Sequence, residues 1–148
     1  MTKIEPADIS CPGCHTKQTV MLYDSLNVTL DPEVKKDVID GKINVFKCYN
    51  CNAEIIVQKA FLYHDMSQHF CAYFIPNDAV FNDNFIKNQI SSDGQMNYEV
   101  SDLVKNNPDF EYFMNPHIVL SMNELIRYVI FRDRIAYIHY RQEESESP

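Results

Sequence analysis

The hydrophobic pattern divides the chain into a strand-rich first half and a helical close. Residues 3–28 read as extended. In "TKQTVMLY", Val20 and Leu22 alternate with Thr19 and Met21. "LDPEVKKDVIDGK" changes period and predicts a short helix. Asp31 stands at the cap, Pro32 at the first helical position and Gly41 just past the end. Val34 and Val38, with Ile39 beside them, form its apolar face. "INVFKC", "EIIVQKAFLY" and "HFCAYFIP" return to strand, with Asn50 and Asn52 marking the turn between the first two.

From Asn77 to Pro116 short apolar islands sit among Asn and Asp, which predicts loops and short helices laid over a scaffold. "SMNELIRYVIF" then carries a clear helical stripe: Met122, Leu125, Ile126, Val129 and Ile130, with Ser121 as cap and Glu124 three residues on. Asp133 is a candidate cap for a second helix, "RIAYIHYRQEE", which also alternates well enough to be a strand. The stripe is the best cover in the chain for a sheet. It is expected to pack on "EIIVQKAFLY" or "HFCAYF", making one domain of residues 1–148. Within it, residues 77–142 form a mainly helical cover and 143–148 a disordered tail. Tyr128 and Phe131 lie off the stripe. They either extend the core or, if exposed, mark a surface for a partner or a second copy.

Five cysteines change this picture, because four form two CxxC pairs, Cys11/Cys14 and Cys48/Cys51. Two close thiols can exchange a disulfide, hold a metal or simply pack. The 33 residues between the pairs exceed the usual ~15–20 of a two-pair zinc site, and the short helix accounts for the excess. Each pair is flanked by strands, so each is expected at a turn that points two thiolates into one concavity. Two such turns complete a tetrahedral four-sulfur site. After each second cysteine stand His15 and Asn52, residue types that tolerate the positive φ such turns require. A redox dithiol needs a helix N-terminus to lower its thiol pKa, whereas "CPGC" runs into the strand-like "HTKQTVML". Metal binding is therefore favoured over redox chemistry, with zinc as the occupant and iron as the alternative. The fold class that follows is α+β. A zinc-ribbon-like antiparallel sheet over residues 9–76 carries the two CxxC knuckles, under C-terminal helices.

The order "ISCPGC", "LYDSLNV", "DPEV", "DGKINVFKCYNCNAEIIV" and "FLYHD", followed much later by "MNELI", resembles the CpXC domain family. The resemblance is detailed from Ile9 to Pro76. It implies a metal-ribbon scaffold with Cys11, Cys14, Cys48 and Cys51 as the motif cysteines, and it implies no particular activity. His15 departs from the family pattern, where a Gly-like residue is common.

Composition narrows the remaining classes. The 148 residues suffice for one domain with a core. A net charge of −8 repels phosphate backbones, so nucleic-acid binding is not expected; Arg127, Arg132 and Arg134 read as helix surface. No apolar run reaches the ~18 residues of a membrane span. "MTKIEPADIS" carries no signal-like apolar stretch, so a cytoplasmic, reducing location is expected. Only Gly13, Gly41 and Gly94 are present, too few and too scattered for a phosphate cradle. The reading is a structural metal protein that acts through a protein partner or as a homo-oligomer, leaning away from an enzyme. The enzymatic alternative would use His64 or Cys71. Cys71 is read as a buried small hydrophobe. His64 and Asp65 are read as polar residues of a turn, since neighbours on a strand would face opposite ways. His69, His117 and His139 have no companions that make a site, and His117 is taken as a loop residue.

Overall fold

The computed structural model describes residues 1–97 and 101–146. The first half holds β1 (Lys3–Ser10), β2 (Lys17–Asn27), α1 (Pro32–Ile39), β3 (Val45–Lys47), β4 (Glu54–Ile56), β5 (Phe61–Asp65) and β6 (Phe70–Phe74). The second holds α2 (Asn77–Val80), α3 (Asp83–Gln89), α4 (Asp102–Lys105), a 3₁₀ turn (Pro108–Phe110), α5 (Glu111–Met114), β7 (His117–Val119) and α6 (Met122–Glu146). The fold is the expected α+β class, with a five-stranded sheet in the order β1-β2-β5-β6-β7 and a separate β3-β4 hairpin.

The sheet differs from expectation in being mixed. β1/β2 and β5/β6 are antiparallel, while β2/β5 and β6/β7 pair parallel. A parallel pair needs a long crossover, and both crossovers are put to use. The first, between β2 and β5, carries α1 and the β3-β4 hairpin. The second, between β6 and β7, carries the short helices of residues 77–114. "EIIVQKAFLY" is accordingly two strands. β4 pairs with β3, the chain bends at Gln58 where Lys59 N–H donates to the Val57 carbonyl at 2.9 Å, and β5 joins the main sheet.

Helix α1 ends as its glycine foretells. Gly41, at φ +69°, donates to the Val38 carbonyl at 3.0 Å, and Lys42 donates to the Asp37 carbonyl at 2.8 Å, closing a Schellman motif. Asp31 makes no side-chain cap. At α6 the Ser121 hydroxyl accepts from Glu124 N–H at 3.1 Å, and the Glu124 carboxylate accepts from Leu120 N–H at 2.8 Å. α6 then runs unbroken through Asp133 to Glu146. The second helix is thus a continuation of the first, and residues 143–146 of the expected tail are helical; 147–148 lie outside the described residues.

One face of the sheet makes the main core. Leu26, Phe61, Tyr63, Phe70, Ala72, Phe74 and Val119 meet Val34 and Val38 of α1 and Leu125 and Val129 of α6. The stripe on α6 is narrower than its sequence suggests, since Ile130 is 48% exposed. Tyr128 joins the core, tilting against Phe70 and stacking on His117 with ring centroids 4.0 Å apart, which places His117 in β7 and not in a loop. Phe131 is 55% exposed.

Polar contacts stitch the same layer. Asp65, 2% exposed, accepts from the Ser67 hydroxyl at 2.6 Å and the Lys35 ammonium at 3.2 Å. Lys35 also pairs with Asp133, which accepts from Gln68 Nε2 at 2.6 Å, and Arg132 donates to the Gln68 carbonyl at 3.0 Å. Helix α1, the β5–β6 turn and α6 are thereby tied together. The carboxylate of Asp133 is committed to this network, so no helix break occurs there. The strand β5 runs through Asp65, with the turn following it, so His64 and Asp65 do face opposite sides but as strand residues.

Burial would push the Asp65 carboxyl up, but Ser67, Lys35 and Gln68 N–H together hold it below its ordinary value. A depressed carboxylate stabilises the fold above its unfolded value of ~3.9, and that contribution is lost as pH falls through the folded value. Wild-type stability is therefore expected to decline between about pH 5 and pH 2, and Asp65→Asn to flatten that decline while lowering stability at neutral pH. A variant profile parallel to the wild type in a pH series of urea melts would show that Asp65 is not linked to folding. Leu125, fully buried, supplies the packing test. Leu125→Ala is expected to cost about 2–5 kcal/mol, and an unmoved urea midpoint would make α6 a dispensable arm.

Candidate metal centre

The two cysteine pairs occupy two turns of identical design. In the first, between β1 and β2, Cys11 N–H donates to the Thr16 carbonyl at 2.9 Å and His15 N–H donates to the Cys11 carbonyl at 2.9 Å. In the second, between β3 and β4, Cys48 N–H donates to the Ala53 carbonyl at 2.8 Å and Asn52 N–H to the Cys48 carbonyl at 3.0 Å. His15 and Asn52 take φ values of +61° and +59°, as their places after the second cysteine require. His15 pays the non-glycine strain without any loss of the turn's hydrogen bonds.

A side chain outside either motif joins the two turns. Gln18 Nε2 donates to the Lys47 carbonyl at 2.9 Å, and its Oε1 accepts from Tyr49 N–H at 3.1 Å. Phe46, fully buried, supports the junction from below together with Ile9, Val20, Ala53 and Val57. This second core is small, separate from the one beneath α6, and organised around sulfur.

The four sulfurs converge. All lie within 4.8 Å of one another, with Cys11 Sγ 3.5 Å from Cys51 Sγ and Cys14 Sγ 3.6 Å from Cys48 Sγ. A disulfide requires ~2.05 Å, and all five cysteines are free thiols. Around a tetrahedral ion with metal–sulfur bonds of ~2.3 Å, neighbouring sulfurs sit ~3.8 Å apart. The cluster therefore has the size and the donor chemistry to hold one metal ion. Cys11 and Cys48 are buried while Cys51 is exposed, so the cluster opens at one edge of the molecule.

The surroundings prepare thiolates. Asn50 and the Thr16 hydroxyl and N–H bring the Cys14 thiol down to about 5. The Cys11 thiol is lowered by the N–H of Cys14 against a burial penalty. Cys51 has the Ala53 N–H to favour its anion, but the neighbouring sulfurs of Cys11, Cys14 and Cys48 push it up to about 12. Without a cation the group resists carrying four negative charges, which is the electrostatic demand a divalent ion satisfies.

The other residues singled out from the sequence lie elsewhere. Cys71, 3% exposed in β6, is pushed up to about 12 by burial alone, as suits an inert core thiol. It pairs across the ladder with His64 of β5. The His64 ring nitrogen Nε2 lies 2.8 Å from the Tyr112 hydroxyl, and its ring tilts against Phe113. Burial lowers its pKa, the N-terminal ammonium adding to the effect and Asp65 opposing it. Tyr112 and Gln18 were invisible to motif reading: their partners are 48 and 29–31 residues away, with no spacing to announce them. Among the described residues no helix is long and apolar enough to cross a membrane.

No curated protein and no solved structure matches the chain. The family model described as CpXC protein matches residues 9–137, from the strand entering the first cysteine turn to well inside α6, and so reaches far beyond the stretch to Pro76 in which the motifs are dense. With the match covering nearly the whole length, the chain belongs to the CpXC family.

Proposed function

We propose that the chain is a structural zinc protein, in which Cys11, Cys14, Cys48 and Cys51 hold one zinc ion and the loaded scaffold works by binding protein. The observation that carries the metal reading is the convergence of four sulfurs from two equivalent turns within 4.8 Å. Four cysteines fill a tetrahedral shell and leave no open position, which favours a structural role over hydrolytic chemistry. Zinc, when bound, supplies the positive charge that lets four thiolates coexist. It also cross-links the β1-β2 and β3-β4 hairpins, which share only a small core of their own. Nothing in the geometry favours a thiol enzyme at Cys71.

The expected outcome is one zinc per chain by elemental analysis, with Cys48→Ser losing both metal and the packing of the β3-β4 hairpin. A structural zinc contributes on the order of 10–16 kcal/mol of apparent binding energy, so chelation is expected to lower the melting temperature strongly. Metal-free protein with full stability would overturn the proposal. A visible thiolate-to-metal absorption band with iron in the elemental analysis would replace zinc by iron. Loading takes the formal charge from −8 to about −10, and no nucleic-acid binding is expected at physiological salt.

The protein-binding half of the proposal is supported by the later turns of α6, where Phe131, Tyr137, Ile138 and Tyr140 are exposed. A second copy of this chain is the favoured partner. The exposed apolar residues lie along one helix, so two antiparallel copies would set the same residues against each other in an isologous contact. Sedimentation at ~100 µM is expected to show a dimer in the wild type and a monomer for Ile138→Glu. A monomeric wild type would remove self-association from the proposal and leave the metal reading untouched.

A further inference from the structure

The sheet face turned away from α6 carries a second feature. His64 points there by strand alternation, and the 3₁₀ turn and α5 lie over it, with the Tyr112 and Phe113 rings 5.6 and 5.1 Å from the imidazole. Beside this contact is a cavity of about 370 Å³, within the range that encloses small molecules, ~300–1,000 Å³. Val104, Phe110 and Phe113 form its apolar roof, and all three remain half-buried. Leu30 stands at the rim, largely exposed.

The floor is polar at one point. Asn27 pairs with His64 across the parallel β2/β5 ladder, lines the cavity and is 2% exposed. Its Oδ1 is fully engaged, accepting from Thr29 N–H at 3.2 Å and Leu30 N–H at 3.1 Å. Its Nδ2, with two hydrogens to give, finds among the described residues only the thioether of Met66 at 3.3 Å. A thioether is a weak acceptor, and a buried amide N–H without a proper acceptor costs stability. The nearby imidazole Nε2 and the Tyr112 hydroxyl are paired with each other at 2.8 Å and do not meet this demand. Among the described residues no charged side chain lines the cavity, but Met1 does, and the N-terminal ammonium that acts on His64 stands near it.

We propose that this cavity binds a small aromatic molecule bearing a carbonyl-type oxygen, its ring held by Phe110, Phe113 and Met66 and its oxygen accepting from the Asn27 carboxamide. The rings offer edges and faces to an aromatic guest, and the Met66 sulfur adapts to its outline. Binding would give Asn27 the oxygen acceptor it lacks and cover Leu30. The site is independent of the metal centre. The first cysteine turn precedes the start of β2 and Asn27 closes it, so the eleven-residue strand sets them roughly 30 Å apart.

The test uses the full, metal-loaded chain and two fluorescent probes: 6-propionyl-2-dimethylaminonaphthalene, a neutral aromatic ketone, and 2-dimethylaminonaphthalene, the same ring without the carbonyl. The ketone is expected to bind saturably at one site with blue-shifted emission, roughly five- to tenfold tighter than its parent, the difference one hydrogen bond supplies. Asn27→Asp keeps the acceptor for Thr29 and Leu30 but removes the donor, and is expected to close the gap between the probes. Val104→Trp, at a half-buried roof position, fills the cavity and is expected to weaken both probes at least tenfold with an unchanged melting temperature. Unsaturable binding by the wild type, equal affinity for the two probes, or undiminished binding by Val104→Trp would each overturn the proposal.

Discussion

A strand that pairs parallel with an earlier one cannot follow it through a tight turn, and that constraint organises this molecule. The pairing of β2 with β5 forces the chain to leave the sheet at Asn27 and return at Phe61. The excursion holds α1, which covers one face of the sheet, and the β3-β4 hairpin, which brings Cys48 and Cys51 to Cys11 and Cys14. The long gap between the cysteine pairs holds β2 and the first part of this crossover, α1 included. The pairing of β6 with β7 imposes a second excursion, whose short helices cover the opposite face and enclose the cavity over His64. Both candidate sites thus arise from connections between strands and not from the strands themselves.

The two cores meet different physical demands. Beneath α1 and α6, apolar burial dominates, and the Lys35–Asp65–Asp133 network orients the layers by charge. That core carries a local cost, since the Tyr63 hydroxyl is buried with no hydrogen-bond partner among the described residues. Around the cysteines there is little to bury: Phe46 and a ring of half-buried aliphatic residues. Four sulfurs packed this closely repel once ionised, as the opposed shifts of Cys14 and Cys51 display. A cation would convert that repulsion into the strongest cross-link in the molecule. Gln18, on the first hairpin, sets the relative position of the two through two backbone contacts on the second, independently of the metal.

Much of this was legible in the residues alone, wherever the deciding interaction was local. The cysteine turns, the positive φ of His15 and Asn52, the Pro32 start and Gly41 stop of α1, and the Ser121 cap of α6 depend on neighbours within five positions. The buried part of the α6 stripe followed from its period, and the burial of Cys71 from its apolar setting. What stayed hidden depends on partners distant in sequence. Asp133 looked like a helix cap because its true partners, Lys35 and Gln68, are 98 and 65 residues away. "EIIVQKAFLY" looked like one strand because nothing in its pattern says that its two ends belong to different sheets. Side chains alternate with a two-residue period whichever way a strand pairs, and β5 and β6 each pair both ways, so the mixed sheet could not be read either. The sequence by itself determined the two cysteine turns, the Gly41 stop and the Ser121 cap, because each is a matter of short-range sterics and residue chemistry. Only the tertiary structure decided which strands pair, how the two cysteine turns meet, and that Asn27 lies beside His64 at a cavity, because those follow from crossover connections that no local pattern encodes.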